Sequence, residues 1–337
     1  MSSVQFTNEN IVPERDYYID DQGNLIKKAV ASQVLGDVSN FKSTTGVAKP
    51  TNVKVAVASR QSEIVKSHES ADQYQQKIDS KDRGNPQAVS QYASNIVKHW
   101  LKVEKKFCVN PNYMASQQYI TYKMREILLD WLTDVHIKFK LVPETMYLTT
   151  NIIDRYLEKN EISKHNLQLV GVTSMLIASK YEEIYFPEIS DFSYITDQAY
   201  TPDQIRTMEG QIVNSLQFEF TVPTIYNFLQ RYLKVCEDNP IVAPMACYIA
   251  HRSLQAYSML KYTPSVKAAS SVYLARKYLH ITPAWSPLLE RFTQISIETI
   301  TDCVKEMHLL MHSESRLTAV KKLYSTSRYQ RVASLVP

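Results

Sequence analysis

Three charged side chains stand out: Arg125 and Glu209 lie on the apolar faces of predicted helices, and Lys180 directly follows the uncharged segment 166–179. A charge in such a place is unfavourable unless an opposite charge or a hydrogen-bonding group meets it. The chemistry expected of these residues is therefore ion pairing and hydrogen bonding, either within the chain or with another molecule.

Arg125 lies on the apolar side of the helix that the spacing of residues 123–132 predicts. At about 100° per residue, it falls between Leu132 and Leu129 on the helical wheel. An unpaired guanidinium there would carry a large desolvation penalty, so we expect Asp154, in the next predicted helix, to pair with it. The apolar arc consists of Met124, Ile127, Leu128, Leu129, Trp131, Leu132 and Val135. The opposite side carries Glu126, Asp130 and Thr133.

Glu209 lies on the apolar stripe of its own predicted helix, three and four residues before Ile212 and Val213. Lys180 stands near the end of the predicted helix 166–181. It could satisfy the last carbonyl groups of that helix and the negative end of its dipole. Alternatively, it could form an ion pair with Glu209 that holds the two helices together.

The sequence lacks the motifs of the common enzyme classes. There is no Gly-x-Gly-x-x-Gly or Walker loop, no His-Glu-x-x-His pair and no Gly-x-Ser-x-Gly elbow. The chain is therefore predicted not to be an enzyme and to need no cofactor. Its four cysteines lack Cys-x-x-Cys spacing, which argues against a metal site and favours reduced thiols in an intracellular compartment.

Composition favours a globular protein with two compact domains and a tail, since 337 residues exceed one average domain and 44% are hydrophobic. The net charge of +4 is small and the basic residues are scattered, so nucleic acid is not an expected partner. The apolar, uncharged segment 166–179 is shorter than a membrane helix requires, so no membrane insertion is expected.

Helical periodicity beyond Pro86 predicts an all-α fold with two tandem five-helix domains. Both predicted sets of helices follow the order long, long, long, short, long. The helix 166–181 is apolar on every side, so we expect its neighbours to pack round it. The predicted divisions are a disordered tail (1–85), an N-terminal helix and linker (86–116), a first domain (117–222), a second domain (223–313) and a C-terminal extension (314–337).

Several ordered motifs resemble the cyclin box of mitotic A- and B-type cyclins, and B-type cyclins most of all. They are the segment 123–132, Asn151-Ile-Ile-Asp-Arg-Tyr-Leu157 and Ala178-Ser-Lys-Tyr-Glu-Glu-Ile184. The resemblance runs from about Tyr92 to Leu335. One departure is Glu126, where the family's Met-Arg-Ala-Ile-Leu motif has alanine; it lies outside the apolar arc, so the fold should tolerate it.

The resemblance implies a regulatory subunit that binds and activates a cyclin-dependent kinase and so drives the G2/M transition and mitosis. In cyclins, the residues matching Lys180 and Glu209 form a polar pair that hydrogen-bonds the backbone of the kinase C-helix. The nucleus and the cytoplasm are the expected locations. The implied apolar pocket beside the pair consists of Ile177, Tyr181, Val213, Leu216 and Phe220, with Phe218 and Ile96 nearby.

A second implied site is the family's docking patch for substrates or inhibitors that carry an Arg-x-Leu motif. Asp134 replaces the family's usual glutamate at its rim. The alternative is that this apolar stripe is ordinary core, as such stripes usually are. The matching residues are Met124, Ile127, Leu128, Trp131, Leu167, Gln168 and Ile195.

Residues 32–40 resemble the destruction box that marks mitotic cyclins for proteolysis. Leu35 and Asn40 match the motif, but Ser32 stands where the family has arginine, and serine cannot supply a guanidinium's charge-assisted contacts. The motif is either weakened or works by another route. The implied partner of the tail is a ubiquitin ligase.

Three other functions are considered: a cyclin-fold transcription factor, the cyclin of a transcriptional kinase, and a helical scaffold without a kinase partner. The first would need a basic DNA-facing surface. The second should match the motif segments poorly, and the third gives no reason for a carboxylate at Glu209. Kinase activation is therefore favoured.

Overall fold

The computed structural model describes residues 71–236, 239–313 and 315–336, together with the backbone of 17–19 and 25–27. The strands β1 (Tyr17–Ile19) and β2 (Leu25–Lys27) pair antiparallel, with Tyr18 opposite Ile26. They belong to a unit separate from the one that begins at His68. Ser32, Leu35 and Asn40 of the predicted destruction box lie outside the described residues.

The second unit is helical in its described part. Its helices are α1 (Ala71–Asp79), α2 (Ala93–Val103), α3 (Tyr122–Lys138), α4 (Pro143–Lys159), α5 (Lys164–Glu182), α6 (Ile189–Ile195), α7 (Pro202–Ser215), α8 (Ile225–Leu233), α9 (Val242–Gln255), α10 (Pro264–Tyr278), α11 (Pro287–Thr293), α12 (Ile297–His312) and α13 (Ala319–Tyr324). The predicted all-α architecture with two five-helix sets, α3–α7 and α8–α12, is confirmed. No helix in the described residues is long and apolar enough to cross a membrane.

Helix α5 is the centre of the first domain. Its residues from Leu169 to Ser179 are all buried, as the apolar pattern on every side predicts. Gly171 allows α3 to approach closely, since a Cβ there would lie 2.7 Å from Cδ1 of Leu128. The C-terminal end of α5 therefore reaches the domain surface at Lys180, which is exposed.

The folded part of the chain begins before residue 85, the predicted end of the disordered tail (1–85). Helix α1 packs against the second domain and buries Tyr74, Gln75 and Asp79. The Asp79 carboxylate pairs with Arg231, and Gln75 Nε2 donates to the carbonyl oxygen of Phe292 (2.7 Å). The segment has little apolar character, so periodicity could not reveal a helix that is held by polar contacts.

The polar side of α3 faces the second domain and the C-terminal extension. Asp130 Oδ1 accepts hydrogen bonds from Gln255 Nε2 (2.8 Å) and from the amide of Ala319 (3.1 Å). Its Oδ2 accepts one from the amide of Thr318 (3.1 Å). The C-terminal extension therefore contributes α13 to the folded unit and closes it over α3.

His251 is buried between the two domains, with Nε2 3.4 Å from Thr133 Oγ1. Burial, with smaller contributions from the charges of His136 and Arg252, lowers the pKa of His251 to about 3. The unfolded chain, in which a histidine has a pKa of about 6.5, therefore takes up a proton first as the pH falls. Stability contributed by neutral His251 is present above about pH 6.5 and is lost progressively below it.

We expect His251→Gln to reduce the pH dependence of the free energy of unfolding by up to about 1.4 kcal/mol per pH unit between pH 5 and 6.5. Urea unfolding at a series of pH values measures this slope, which a constant loss of stability does not change. His99→Gln, at an exposed position, is the matched control. An unchanged slope in His251→Gln would contradict the assignment.

Candidate functional site

The Arg125 guanidinium is fully buried and bound on both sides. Its Nε and Nη2 donate to the two carboxylate oxygens of Asp154 (2.6 and 2.7 Å), the partner expected from the sequence. Its Nη1 donates to the carbonyl oxygens of Leu254 (3.2 Å) and Gln255 (3.0 Å) in the second domain. Burial opposes the charge, but Asp154 and Tyr113 more than compensate and raise the pKa of Arg125. The residue therefore has a structural role that joins the domains.

Lys180 and Glu209 meet at the surface, where the end of α5 crosses α7. Lys180 Nζ lies 2.6 Å from Glu209 Oε1, and the side chains are 36% and 19% exposed. Within the described residues, Glu209 Oε2 accepts no hydrogen bond, and Glu209 Oε1 is the only acceptor for the ammonium of Lys180. An ammonium has three donors and a carboxylate two acceptor oxygens, so the pair can still bind a donor and an acceptor of another molecule.

Apolar residues on α5, on α7 and just after α7 adjoin this pair, and together they are called the apolar cluster. Ile177, Leu216 and Phe220 are buried and form its inner part, whereas Val213 is half-buried. Tyr181 is 47% exposed, and its hydroxyl lies 2.6 Å from Thr221 Oγ1. The expected pocket residues are thus divided between a packed floor and an accessible wall.

Phe218 is held out into solvent by the way in which α7 ends. Gln217 and Phe218 have φ angles of 54° and 60°, and the Phe218 amide donates to the carbonyl oxygen of Val213 (3.1 Å). Positive φ is unusual for a bulky residue and is often found at functional sites. The ring is 71% exposed, while Phe220 turns back into the core.

Ile96, on α2, is half-buried. The turn that follows α2 reaches the surface next to Phe218, because Lys106 Nζ donates to Glu219 Oε1 (2.5 Å). The hydrogen bond from Lys106 is the main cause of a lowered pKa at Glu219. The N-terminal helix is therefore connected to the same side of the molecule as Phe218.

Sequence reasoning missed an exposed apolar segment directly after α5. Ile184, Tyr185 and Phe186 are 89%, 80% and 48% exposed. Glu183 fixes the start of this segment, since its Oε1 accepts from the amide of Val142 (2.8 Å) and from Thr145 Oγ1 (2.5 Å). Three adjacent exposed apolar side chains on an anchored loop are typical of an interaction surface, and this signal was visible in the sequence.

The residues expected to form the docking patch are partly exposed. Leu128 and Leu167 are buried, so they lie beneath the surface of this stripe. Ile127 is 61% exposed. Asp134 is exposed, whereas Met124, Trp131, Gln168 and Ile195 are half-buried.

Nothing in the described residues suggests a metal centre, since no group of three or more His, Cys, Asp and Glu side chains is arranged to hold an ion. All four cysteines lie in the described part, and none of them forms a disulfide.

Two family models match the chain. The cyclin N-terminal domain matches residues 95–221 and the cyclin C-terminal domain residues 223–337. The chain therefore belongs to the cyclin family. Its two tandem helical domains, with a buried Arg–Asp pair at their junction, agree with this class of protein. The resemblance seen in the sequence is confirmed.

Among curated relatives, the chain is similar to B-type cyclins. It is 42% identical to Cyclin-B2-1 of Oryza sativa subsp. japonica over 77% of this chain and 62% of that protein. It is 43% identical to the G2/mitotic-specific cyclin-B of Patella vulgata over 77% of this chain and 63% of that protein. The chain thus spans less than two thirds of the length of these relatives.

Solved structures show the same fold. A viral cyclin from herpesvirus saimiri aligns with a TM-score of 0.55 and 23% identity, over 63% of this chain and 97% of that one. A chain of the yeast RNA polymerase II CTD kinase CTDK-1 complex aligns with a TM-score of 0.50 and 12% identity, over 68% of this chain and 82% of that one.

Proposed function

We propose that this chain is the regulatory subunit of a cyclin-dependent kinase, which it binds and activates at the G2/M transition and in mitosis. The observation that carries the proposal is the Lys180–Glu209 pair, which is partly exposed beside the apolar cluster and retains unused donors and acceptors. The similarity to B-type mitotic cyclins supports the stage of the cell cycle.

The proposed mechanism is a population shift. The end of α5 and α7 form a rigid surface that binds only the kinase conformation with its C-helix turned inward. The binding free energy then favours that conformation, in which the kinase's Lys–Glu pair orients the ATP phosphates. Every catalytic group belongs to the kinase, so the chain itself acts as a regulator.

Exposed aromatic and aliphatic side chains supply the rest of the proposed kinase-binding surface. Three of these residues follow Lys180 in the sequence: Tyr181, Ile184 and Tyr185. Phe218 follows Glu209. All four side chains are exposed to solvent. Such residues contribute most to binding when a partner removes them from water. A stable complex of this kind would bury more than about 2,000 Å² in total.

Mixing the purified chain with a purified cyclin-dependent kinase subunit tests the proposal. We expect one-to-one binding by calorimetry and a large rise in phosphorylation of a peptide substrate. The kinase alone and the chain alone are the controls. Binding without activation would favour the scaffold alternative, and the absence of binding to any such kinase would overturn the proposal.

The docking patch is proposed to recruit substrates or inhibitors with an Arg-x-Leu motif. The side chain of Ile127 is accessible, and Asp134 supplies a carboxylate for the arginine at the rim. We expect Ile127→Ala combined with Trp131→Ala to raise the KM for an Arg-x-Leu substrate about tenfold. Phosphorylation of a short peptide without that motif should not change.

Leu309→Ala is the matched control for the docking prediction, since Leu309 is 68% exposed on α12, away from the patch. An unchanged KM for the Arg-x-Leu substrate in the double variant would show that cargo binds elsewhere.

We also propose that the protein occurs in the nucleus and the cytoplasm. A separate proposal has two parts: residues 32–40 recruit a ubiquitin ligase, and the protein is then degraded at mitotic exit. The match of Leu35 and Asn40 to the destruction box supports the first part. We expect Leu35→Ala to persist through mitotic exit while the unaltered chain disappears, as followed by immunoblotting of synchronised cells. Equal disappearance of both would remove the degradation signal from these residues.

A further inference from the structure

Lys267 is a buried cation without a protein partner. It lies in the first turn of α10 and is only 9% exposed. Within the described residues, its Nζ forms no hydrogen bond and no ion pair. A buried ammonium is strongly unfavourable unless something neutralises or solvates it.

The side chain lines a cavity of about 70 Å³ between the two domains. The first domain contributes Arg125, Thr150 and Asp154 to its wall, and the second contributes Ser253 and Lys267. A water molecule occupies about 30 Å³ in the liquid. The cavity therefore has room for an ion of a few atoms.

The other charged groups close to the cavity are already paired. Both carboxylate oxygens of Asp154 accept hydrogen bonds from Arg125. Glu104 accepts hydrogen bonds from the amide of Ser265 (2.9 Å) and from its hydroxyl (2.7 Å). Among the described residues that line this cavity, Lys267 is thus the only cation that forms no ion pair with a carboxylate.

Two uncharged polar groups near the cavity are also occupied. The thiol of Cys108 donates to the carbonyl oxygen of Glu104 (3.4 Å), and the hydroxyl of Ser253 donates to the carbonyl oxygen of Ala250 (2.6 Å). Neither group supplies a negative charge that could pair with the ammonium of Lys267.

We propose that this cavity binds a small inorganic anion, of chloride to phosphate size, on Lys267, and that the bound anion stabilises the arrangement of the two domains. The anion would complete the charge balance at the junction where Arg125 already joins them. This site is separate from Lys180 and Glu209 and does not depend on kinase activation.

Bromide and phosphate are suitable probes. Crystals of the protein soaked in sodium bromide should show an anomalous peak within hydrogen-bonding distance of Lys267 Nζ. Sodium phosphate should raise the midpoint of thermal unfolding above that in sodium gluconate of equal ionic strength, since gluconate is too large to enter. Lys267→Met should lose at least two thirds of this phosphate-dependent rise.

Lys277→Met is the matched control, because Lys277 is exposed on the same helix. It should keep the full response to phosphate. Ordered waters alone in the cavity after the bromide soak, or an equal phosphate response in Lys267→Met, would overturn the proposal. The soak uses the unaltered chain, so it remains decisive even if Lys267→Met does not fold.

Discussion

Replacing Lys180 and Glu209 together with alanine is expected to leave the chain folded and to abolish kinase activation. The pair is partly exposed, so its loss should lower the free energy of unfolding by no more than about 1 kcal/mol. Truncating charged groups that become buried and hydrogen-bonded at an interface typically costs about 2 to 5 kcal/mol of binding. Affinity for the kinase should therefore fall at least about thirtyfold.

Circular dichroism, calorimetric titration with the kinase and a peptide kinase assay measure the three quantities. The matched control is Asp302→Ala combined with Lys305→Ala, which removes a surface ion pair of 3.1 Å on α12. That variant should bind and activate normally. Full activation by the Lys180 and Glu209 double variant would leave the ion pair with a purely structural role, the alternative that the sequence left open.

Arg125→Met is expected to lower the free energy of unfolding by about 3 to 5 kcal/mol. It leaves the Asp154 carboxylate buried without its cation and deprives the carbonyl groups of Leu254 and Gln255 of a donor. A change of this size is a large part of the stability of an ordinary domain. Urea unfolding followed by circular dichroism provides the measurement.

Two further variants define the cause of the effect of Arg125→Met. Arg206→Met, in an exposed ion pair on α7, should change stability by less than about 0.5 kcal/mol. Adding Asp154→Leu to Arg125→Met should recover part of the loss, because the uncompensated charge is then removed. A loss below 1 kcal/mol in Arg125→Met would show that the pair does not hold the domains together.

The parts of the structure that the sequence predicted are those where local pattern and burial agree. Helix α5 is apolar on every side and is buried on every side. Arg125 and Glu209 could be singled out because a charge on an apolar stripe requires an explanation. A Thr-Pro pair is itself a local signal of a helix start, and α7 begins at Thr201-Pro202, where the threonine side chain accepts from the amide of Gln204.

The parts that it did not predict depend on contacts between distant segments. Helix α1 is held by Asp79, whose partner Arg231 is 152 residues away in sequence. The role of Asp130 depends on the return of the C-terminal extension to α3. Lys267 appears in the sequence as an ordinary surface lysine, and only the packing of the two domains encloses it.

The central claim is that Lys180 and Glu209 bind the main chain of a kinase helix. A crystal structure of the complex tests it most directly. We expect Lys180 Nζ and a Glu209 carboxylate oxygen to lie within about 3.2 Å of main-chain acceptor and donor atoms of the kinase C-helix. A complex in which both side chains still face water, with the kinase bound to another surface of the chain, would contradict the claim.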